Sequence, residues 1–288
     1  LAALIAVAAC LPLALGGVEP GFTLWPGARQ WPKEAEVVRG LRMDALWEAL
    51  RAAPPGRVLF VRSGVKLDWR PEWWRPHTHI TALTPLRAGR SILGGTFTHP
   101  SPIAGLLYTG STASRPIRLL AEQRDGVSLF GRPLDALDPQ TFDELARRLA
   151  VSTVVVPEED VGRVPFLTEN QSFRRSSRIG SFTLFVSRQP AAEPTRIGPQ
   201  RWRVDTAPAT SGWTELSLAY SPLWVARVDG RRIPVRRDGL GLVEVEAPAG
   251  STAVELEHRA GAAERTGVGV SLLSGTAILA LGLRRARA

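Results

Sequence analysis

The chain has 288 residues, and 44% of them are hydrophobic, so its length and composition exclude wholesale disorder and allow one or two domains. Its formal net charge is +9, and 34 of the 36 basic residues are Arg. These residues are spread along the whole chain, which excludes the concentrated patch of most nucleic-acid-binding proteins and favours an anionic membrane surface or lipid-linked phosphate. Cys10 is the only cysteine, so an intramolecular disulfide and a zinc–thiolate cluster are excluded.

The first 17 residues are uncharged and read as the truncated end of a transmembrane helix. Their number lies at the short limit of a membrane span, which takes about 20 residues. The segment lacks the basic start of a signal peptide. A buried core helix is the alternative interpretation.

Residues 18–189 alternate between helical and strand patterns. Apolar residues in 37–50 recur with a helical period, and a buried strand follows at 57–61. Asp138 followed by Pro139 predicts a helix start, because Asp accepts bonds from free N–H groups and Pro suits the first turn. A β-branched strand follows at 151–156. Such helix-then-strand units predict an extracytoplasmic α/β layer domain with a partly parallel sheet.

Residues 69–79 have the most unusual composition of the chain, with three Trp, two Arg and two His among eleven residues. Trp rings beside Arg can stack on a sugar and hold a phosphate. Seating of the Trp rings at a membrane interface, or packing of these rings over the core, are the alternatives. As candidate substrate-binding residues we take Trp69, Arg70, Trp73, Trp74, Arg75, His77 and His79.

No catalytic site, metal site or cofactor is predicted. His77 and His79 lie on one side of a strand, but no third metal ligand lies near them in the sequence. The acidic residues 158–160 follow a strand, where ligands of open α/β sheets gather, although a solvated loop is the simpler interpretation. The sequence contains neither a phosphate-binding loop nor a nucleophile elbow.

The pattern changes beyond residue 189. Residues 190–200 contain three Pro and are predicted to be a linker. Period-two alternation in residues 201–262 then predicts five short strands and a small antiparallel β-sandwich. Asp229 and Gly230 are a strong hairpin signal between two of these strands.

The last apolar segment, residues 267–283, is uncharged and is predicted to be a second transmembrane helix. Arg284, Arg285 and Arg287 follow in the tail 284–288, and basic residues next to a span mark its cytoplasmic side. The residues before this helix are therefore expected on the extracytoplasmic side, with the first segment running outward.

The second half of the chain resembles the C-terminal region of YfhO-like bacterial membrane proteins. The resemblance lies in an aromatic strand at Trp224, a Val-Asp-Gly turn at 228–230, a Pro-Ala-Gly turn at 248–250 and a closing membrane helix. Its motif residues are Trp224, Asp229, Gly230, Pro248 and Gly250. The resemblance covers roughly the last 150 residues well and the first 130 loosely.

The resemblance implies a GT-C-type glycosyltransferase-like protein of the bacterial cell membrane. Such enzymes take sugars from polyprenyl-phosphate donors, and their catalytic carboxylate lies in an early extracytoplasmic loop that this segment does not include. The expected role is therefore to assist sugar transfer to an envelope glycan or lipid, in contact with the bilayer and the rest of its own membrane domain. A non-catalytic, membrane-anchored carbohydrate-binding or scaffold module is the alternative, followed by a hydrolase that uses His77 and His79.

Overall fold

The computed structural model describes residues 32–62, 64–67, 77–93, 126–130, 132–189, 191–206 and 212–286, with the backbone alone at 77, 263–264 and 277–286. The first predicted membrane segment lies outside the described residues. So do five of the candidate binding residues, namely Trp69, Arg70, Trp73, Trp74 and Arg75. The described part is a mixed α/β structure in which strands predominate, and the mixed class predicted from the sequence is confirmed.

The first half of the chain, called here the α/β unit, is built on a five-stranded sheet in the order β4-β1-β7-β9-β8. β1 runs parallel to β4 and β7, whereas β9 is antiparallel to β7 and to β8. The strands are β1 Arg57–Phe60, β4 Ile92–Leu93, β7 Val151–Pro157, β8 Phe173–Ile179 and β9 Phe182–Ser187. Two short ribbons accompany them, formed by β2 Val65–Lys66 with β3 His77–Thr78 and by β5 Ser128–Leu129 with β6 Arg132–Pro133.

Helices cover both faces of this sheet. One face packs against α1 Glu34–Leu41, α2 Met43–Ala52 and α3 Thr84–Ala88, and the other against α4 Pro139–Arg148 and α5 Pro165–Thr168. β7 lies between the two layers, and all seven of its residues are buried. Burial on both faces explains its run of Val residues, because neither side of the strand faces solvent.

A buried arginine connects the end of α2, the segment before β1 and strand β7. Arg90, only 9% exposed, donates hydrogen bonds to the carbonyls of Leu50 (2.8 Å), Ala53 (3.1 Å) and Pro54 (2.7 Å) and to Ser152 Oγ (3.0 Å). Burial lowers the pKa of its guanidinium. The guanidinium thereby satisfies the Leu50 carbonyl in the last turn of α2 and the carbonyls of the segment that follows the helix.

The helix start predicted at Asp138 and Pro139 is confirmed. The Asp138 carboxylate accepts the Thr141 backbone N–H at 2.7 Å and the Thr141 hydroxyl at 2.8 Å, and Pro139 is the first residue of α4. These two bonds, of which the backbone bond contributes most, lower the pKa of the Asp138 carboxyl. Arg132 adds an ion pair at 2.7 Å.

The second half of the chain forms two antiparallel sheets around one core, an arrangement called here the sandwich. One sheet has the order β10-β11-β17-β13-β14 and the other the order β12-β16-β15. The strands are β10 Thr195–Gly198, β11 Arg201–Asp205, β12 Gly212–Ala219, β13 Trp224–Val228, β14 Arg231–Ile233, β15 Val235–Arg237, β16 Leu242–Ala247 and β17 Ala253–His258. β10 lies within residues 190–200, so part of the segment predicted to be a linker pairs with β11.

Arg148 at the end of α4 connects the α/β unit to the sandwich. Its Nε donates to Glu215 Oε2 at 2.9 Å, and its Nη2 contacts Asp238 Oδ2 at 2.5 Å. The hydrogen bond with Glu215 raises the pKa of Arg148. Asp238 also accepts the backbone N–H of Leu242, and the buried Leu242 side chain belongs to the core of the α/β unit.

The chain ends in α6, Ala262–Ala286. Its described apolar side chains are largely exposed: Val268 59%, Val270 58%, Leu272 67% and Leu273 73%. Within the part of the chain that the structure describes, no helix has the length and apolar content needed to cross a lipid bilayer. The second predicted span, 267–283, continues into residues whose side chains lie outside the described set.

The Asp138 cap predicts an acid-dependent contribution to stability. Because the folded-state pKa is lowered, the contribution is present above the unfolded-state pKa and is lost as the pH falls through the folded-state value. Asp138→Ala should lower the Tm at pH 7 by a few degrees, roughly the value of an N-cap. Thermal unfolding of both proteins at pH 7 and at about pH 2 measures the difference, which should be smaller at the lower pH.

Asp135→Ala is the matched control, because Asp135 is exposed and lies three residues before the cap. It should leave the Tm within about one degree of the wild-type value. An equal loss of stability for Asp138→Ala at both pH values would contradict the capping explanation.

Removal of the Arg148 side chain should destabilise the joint between the two halves. The side chain of Asp238 is 4% exposed, so Arg148→Ala leaves a buried carboxylate without its cation. We expect the free energy of unfolding to fall by about 2–3 kcal/mol. Urea denaturation measures this loss, and Arg147→Ala, at the neighbouring exposed position, should cost no more than about 0.5 kcal/mol.

Candidate functional site

A cavity of about 420 Å³ opens at one end of the sandwich. Four of its residues, Tyr220, Ser221, Pro222 and Trp224, come from the β12–β13 connection and the start of β13. The other four, residues 232–235, come from β14 and the start of β15. Its size falls within the range of small-molecule sites, about 300–1,000 Å³, and its lining combines aromatic with polar groups as such sites do.

The ring of Trp224 is held in place from several directions. Trp202 meets it edge-on with 5.1 Å between ring centroids, and His258 does the same at 5.0 Å. The indole Nε1 donates a hydrogen bond to the Ala219 carbonyl at 2.9 Å. Edge-to-face packing and a satisfied indole N–H fix the orientation of the ring. The cavity therefore has a preorganised aromatic residue in its wall.

Ser221 and His258 form the polar part of the same region. Ser221 Oγ lies 3.2 Å from His258 Nε2 and accepts the Leu223 backbone N–H at the same distance. Among the described residues, no carboxylate bonds to the other ring nitrogen of His258, whereas a Ser–His–Asp triad has one there. The pair therefore stabilises the turn before β13, and the residue of the pair that lines the cavity is Ser221.

The cavity lies beside the start of α6. Trp224 on β13 is the direct cross-strand neighbour of His258, the last residue of β17. The backbone N–H of Arg259 donates to the Leu223 carbonyl at 3.0 Å, and the Arg265 guanidinium donates to the Ala260 carbonyl at 3.1 Å. These bonds fix the three-residue connection between the sandwich and α6 against the cavity wall.

The residues that carry the family resemblance are distributed over three places. Of the five motif residues, only Trp224 lines the cavity. Asp229 and Gly230 have φ angles of 49° and 77° at the β13–β14 turn, the left-handed backbone that the hairpin signal predicted. Gly250 has a φ of 80° at another turn, where Ser251 Oγ donates to the Pro248 carbonyl. Four of the five residues thus have structural explanations.

The remaining candidate residues, His77 and His79, lie on the α/β unit. The backbone of His77 pairs with Lys66 in the β2–β3 ribbon, and His79 is half-buried just before a short helical turn at Ile80. The structure does not bring either residue to the sandwich cavity. Within the described residues, no group of His, Cys, Asp and Glu side chains is arranged to hold a metal ion.

A smaller cavity of about 180 Å³ lies beyond the carboxyl ends of β1 and β7, beside the acidic residues 158–160. The buried Asp160 pairs with Arg62 at 2.8 Å and with Arg163 at 3.0 Å. Glu159 pairs with Arg62 at 3.1 Å and with Lys66 at 2.9 Å. These ion pairs give Glu159 and Asp160 a structural role, because they connect the end of β1 to the turn after β7.

The sequence reasoning missed Trp202, Tyr220, Arg232 and His258. Trp202 lies 22 positions before Trp224 and His258 lies 34 positions after it. Strand pairing brings their rings together. The one sequence signal for the cavity was Trp224 itself, which is among the residues that carry the family resemblance.

In comparisons with known proteins, no family model, curated protein or solved structure matches the chain.

The packing around Trp224 predicts a graded response to substitution. Trp224→Ala removes both ring contacts and should lower the free energy of unfolding by about 2 kcal/mol, whereas Trp224→Phe should lower it by about 1 kcal/mol. Chemical denaturation followed by circular dichroism measures both. Trp213→Ala is the control: this ring is 38% exposed, packs against Arg236 and should cost less than either substitution.

Proposed function

We propose that this chain binds a saccharide in the sandwich cavity and is the extracytoplasmic part of a bacterial membrane protein resembling GT-C glycosyltransferases. In this role it assists transfer of a sugar from a polyprenyl-phosphate donor to an envelope glycan or lipid. The observation that carries the proposal is the cavity wall, in which the fixed ring of Trp224 stands beside Tyr220 and polar groups.

The chemistry of the wall suits a sugar ring. A pyranose presents one apolar face of C–H groups and a rim of hydroxyls, so it needs a flat aromatic partner and nearby hydrogen-bonding groups. Trp and Tyr provide both an apolar body and a polar end. Ser221 and Arg232 stand beside them in the wall. Because the Trp224 ring is already fixed by its neighbours, little ordering entropy is lost when a ligand stacks on it.

The proposed membrane location rests on α6 and the sequence that it contains. Residues 267–283 of α6 are uncharged. The exposed Val and Leu side chains at 268–273 have the apolar surface that lipid contact requires. With the Arg-rich tail on the cytoplasmic side, the sandwich lies outside the bilayer, and Trp202, Tyr220 and Trp224 belong to the headgroup region.

A second candidate is a non-catalytic carbohydrate-binding or scaffold module with the same anchor. It is favoured by the ion pairs of Glu159 and Asp160 with Arg62 and Lys66, because these pairs give both carboxylates a structural role in place of a catalytic one. The transferase-assisting protein and the carbohydrate-binding module both bind saccharide, whereas a scaffold module need not, and only the first takes part in sugar transfer. Sugar transfer by membranes that contain the product of the complete coding sequence separates them.

Binding of methyl glucoside to the full chain in detergent tests the saccharide site directly. Tyr220→Ala removes an aromatic residue of the wall and should weaken binding about three- to tenfold in calorimetric titration, the usual contribution of one aromatic contact. Trp213→Ala should leave the Kd unchanged, because Trp213 does not line the cavity.

The double variant Trp73→Ala/Trp74→Ala tests the segment that the sequence singled out. If saccharide binding is lost in this variant and kept in Tyr220→Ala, the site lies in residues 69–79 and the assignment to the sandwich cavity is wrong.

A further inference from the structure

The edge strand β8 presents backbone hydrogen-bonding groups along its outer side. It is the last strand of the five-stranded sheet, and its seven residues make it as long as the central strand β7. Among the described residues, β9 is the only strand that pairs with it. The N–H and C=O groups that point away from β9 can therefore pair with another chain, as the groups of an exposed edge strand do.

The same edge is basic. Arg174, Arg175 and Arg178 are exposed along β8, and Arg42 lies beside the turn at Gly180 that joins β8 to β9. Because successive residues of a strand point to opposite faces of the sheet, the adjacent Arg174 and Arg175 place positive charge on both sides of the edge.

A single carboxylate faces the arginines of β8. Glu158 lies 3.5 Å from Arg175 and 3.6 Å from Arg178, whose side chains are 53% and 63% exposed. Ion pairs between such exposed groups contribute little, so both arginines can be shared with a partner. Within the described part of the chain, Arg174 and Arg42 pair with no carboxylate. The β8 edge therefore keeps an excess of positive charge beside its outward backbone groups.

We infer that β8 accepts an extended, acidic segment of a partner protein as an additional strand of the sheet. Backbone hydrogen bonds supply the pairing, and carboxylates on the added strand face the arginines. A second copy of β8 would bring two arginine-rich edges together, and like charges at such positions are destabilising. The charge of the edge therefore disfavours a dimer and selects an acidic strand. This surface belongs to the α/β unit and is separate from the sandwich cavity.

A β-bulge limits the length of the added strand. The register of β8 against β9 shifts between Arg175 and Ser177. A bulge bends its strand and increases the local twist, which prevents a long, flat strand from pairing along the whole edge. The expected partner segment is therefore short.

The test measures the binding of three eight-residue peptides to the full chain by fluorescence anisotropy at low salt. The first alternates Val and Glu, and the second alternates Val and Lys. The third has the Val–Glu sequence with every backbone nitrogen methylated, so it keeps the charge and lacks the N–H donors. We expect the Val–Glu peptide to bind at least about tenfold more tightly than either of the others, and more weakly at high salt. Equal affinity for the Val–Glu peptide and either control, or no binding of the Val–Glu peptide, overturns the inference.

Charge reversal locates the site. Arg174→Glu should weaken binding of the Val–Glu peptide about fivefold and leave the Tm within about one degree of the wild-type value, because Arg174 is exposed. Arg231→Glu is the matched control, since it reverses the charge of an exposed arginine on β14, an edge strand of the sandwich, and it should leave the Kd unchanged. Equal losses in both variants would show general charge attraction and overturn the inference. So would a dimer of the wild-type chain that Arg174→Glu strengthens in sedimentation, because it would assign the edge to a second copy.

Discussion

The contact between Arg148 and two carboxylates holds the halves of this protein together. Arg148 ends the helix that covers one face of the α/β sheet, and its partners, Glu215 and Asp238, belong to the sandwich. Asp238 also accepts the N–H groups of Leu240 and Leu242, so the same carboxylate shapes the loop that inserts Leu242 into the α/β core. Loss of the cation would therefore disturb an ion pair, a turn and a hydrophobic contact together.

The two halves that Arg148 joins differ in how they are stabilised. The α/β unit is braced internally by buried charges, with Arg90 at the end of α2 and Asp160 beyond β7. The sandwich keeps an open end, where Trp224, Trp202 and His258 are fixed by one another and by backbone bonds. A preorganised aromatic wall at the open end of a rigid scaffold is a suitable place for ligand binding. Because its side chains are already ordered, binding loses little conformational entropy.

Sequence reasoning succeeded where the signal is local. The Asp138 cap and the β-branched strand that became β7 each depend on a few neighbouring residues. The turn at Asp229 and Gly230 belongs to the same class, since its residues alone set its backbone conformation.

Features that depend on strand pairing escaped prediction. β10 lies within the Pro-containing segment 190–200, whose composition predicts a linker, because its pairing with β11 leaves little trace in its own sequence. The cavity depends on the register of β11, β13 and β17, which brings Trp202, Trp224 and His258 together from distant positions. The same holds for Arg90, whose partners lie 34 or more residues away in the sequence.

Nuclear magnetic resonance of the tryptophan indole N–H groups during titration with methyl glucoside tests the saccharide site most directly. Substitution of each Trp by Phe assigns the signals. Our account predicts that the signals of Trp224 and Trp202 shift on binding, while that of Trp47, buried in the α/β unit, stays in place. Shifts confined to tryptophans outside the sandwich, or no shift at a saccharide concentration that saturates binding, would contradict it.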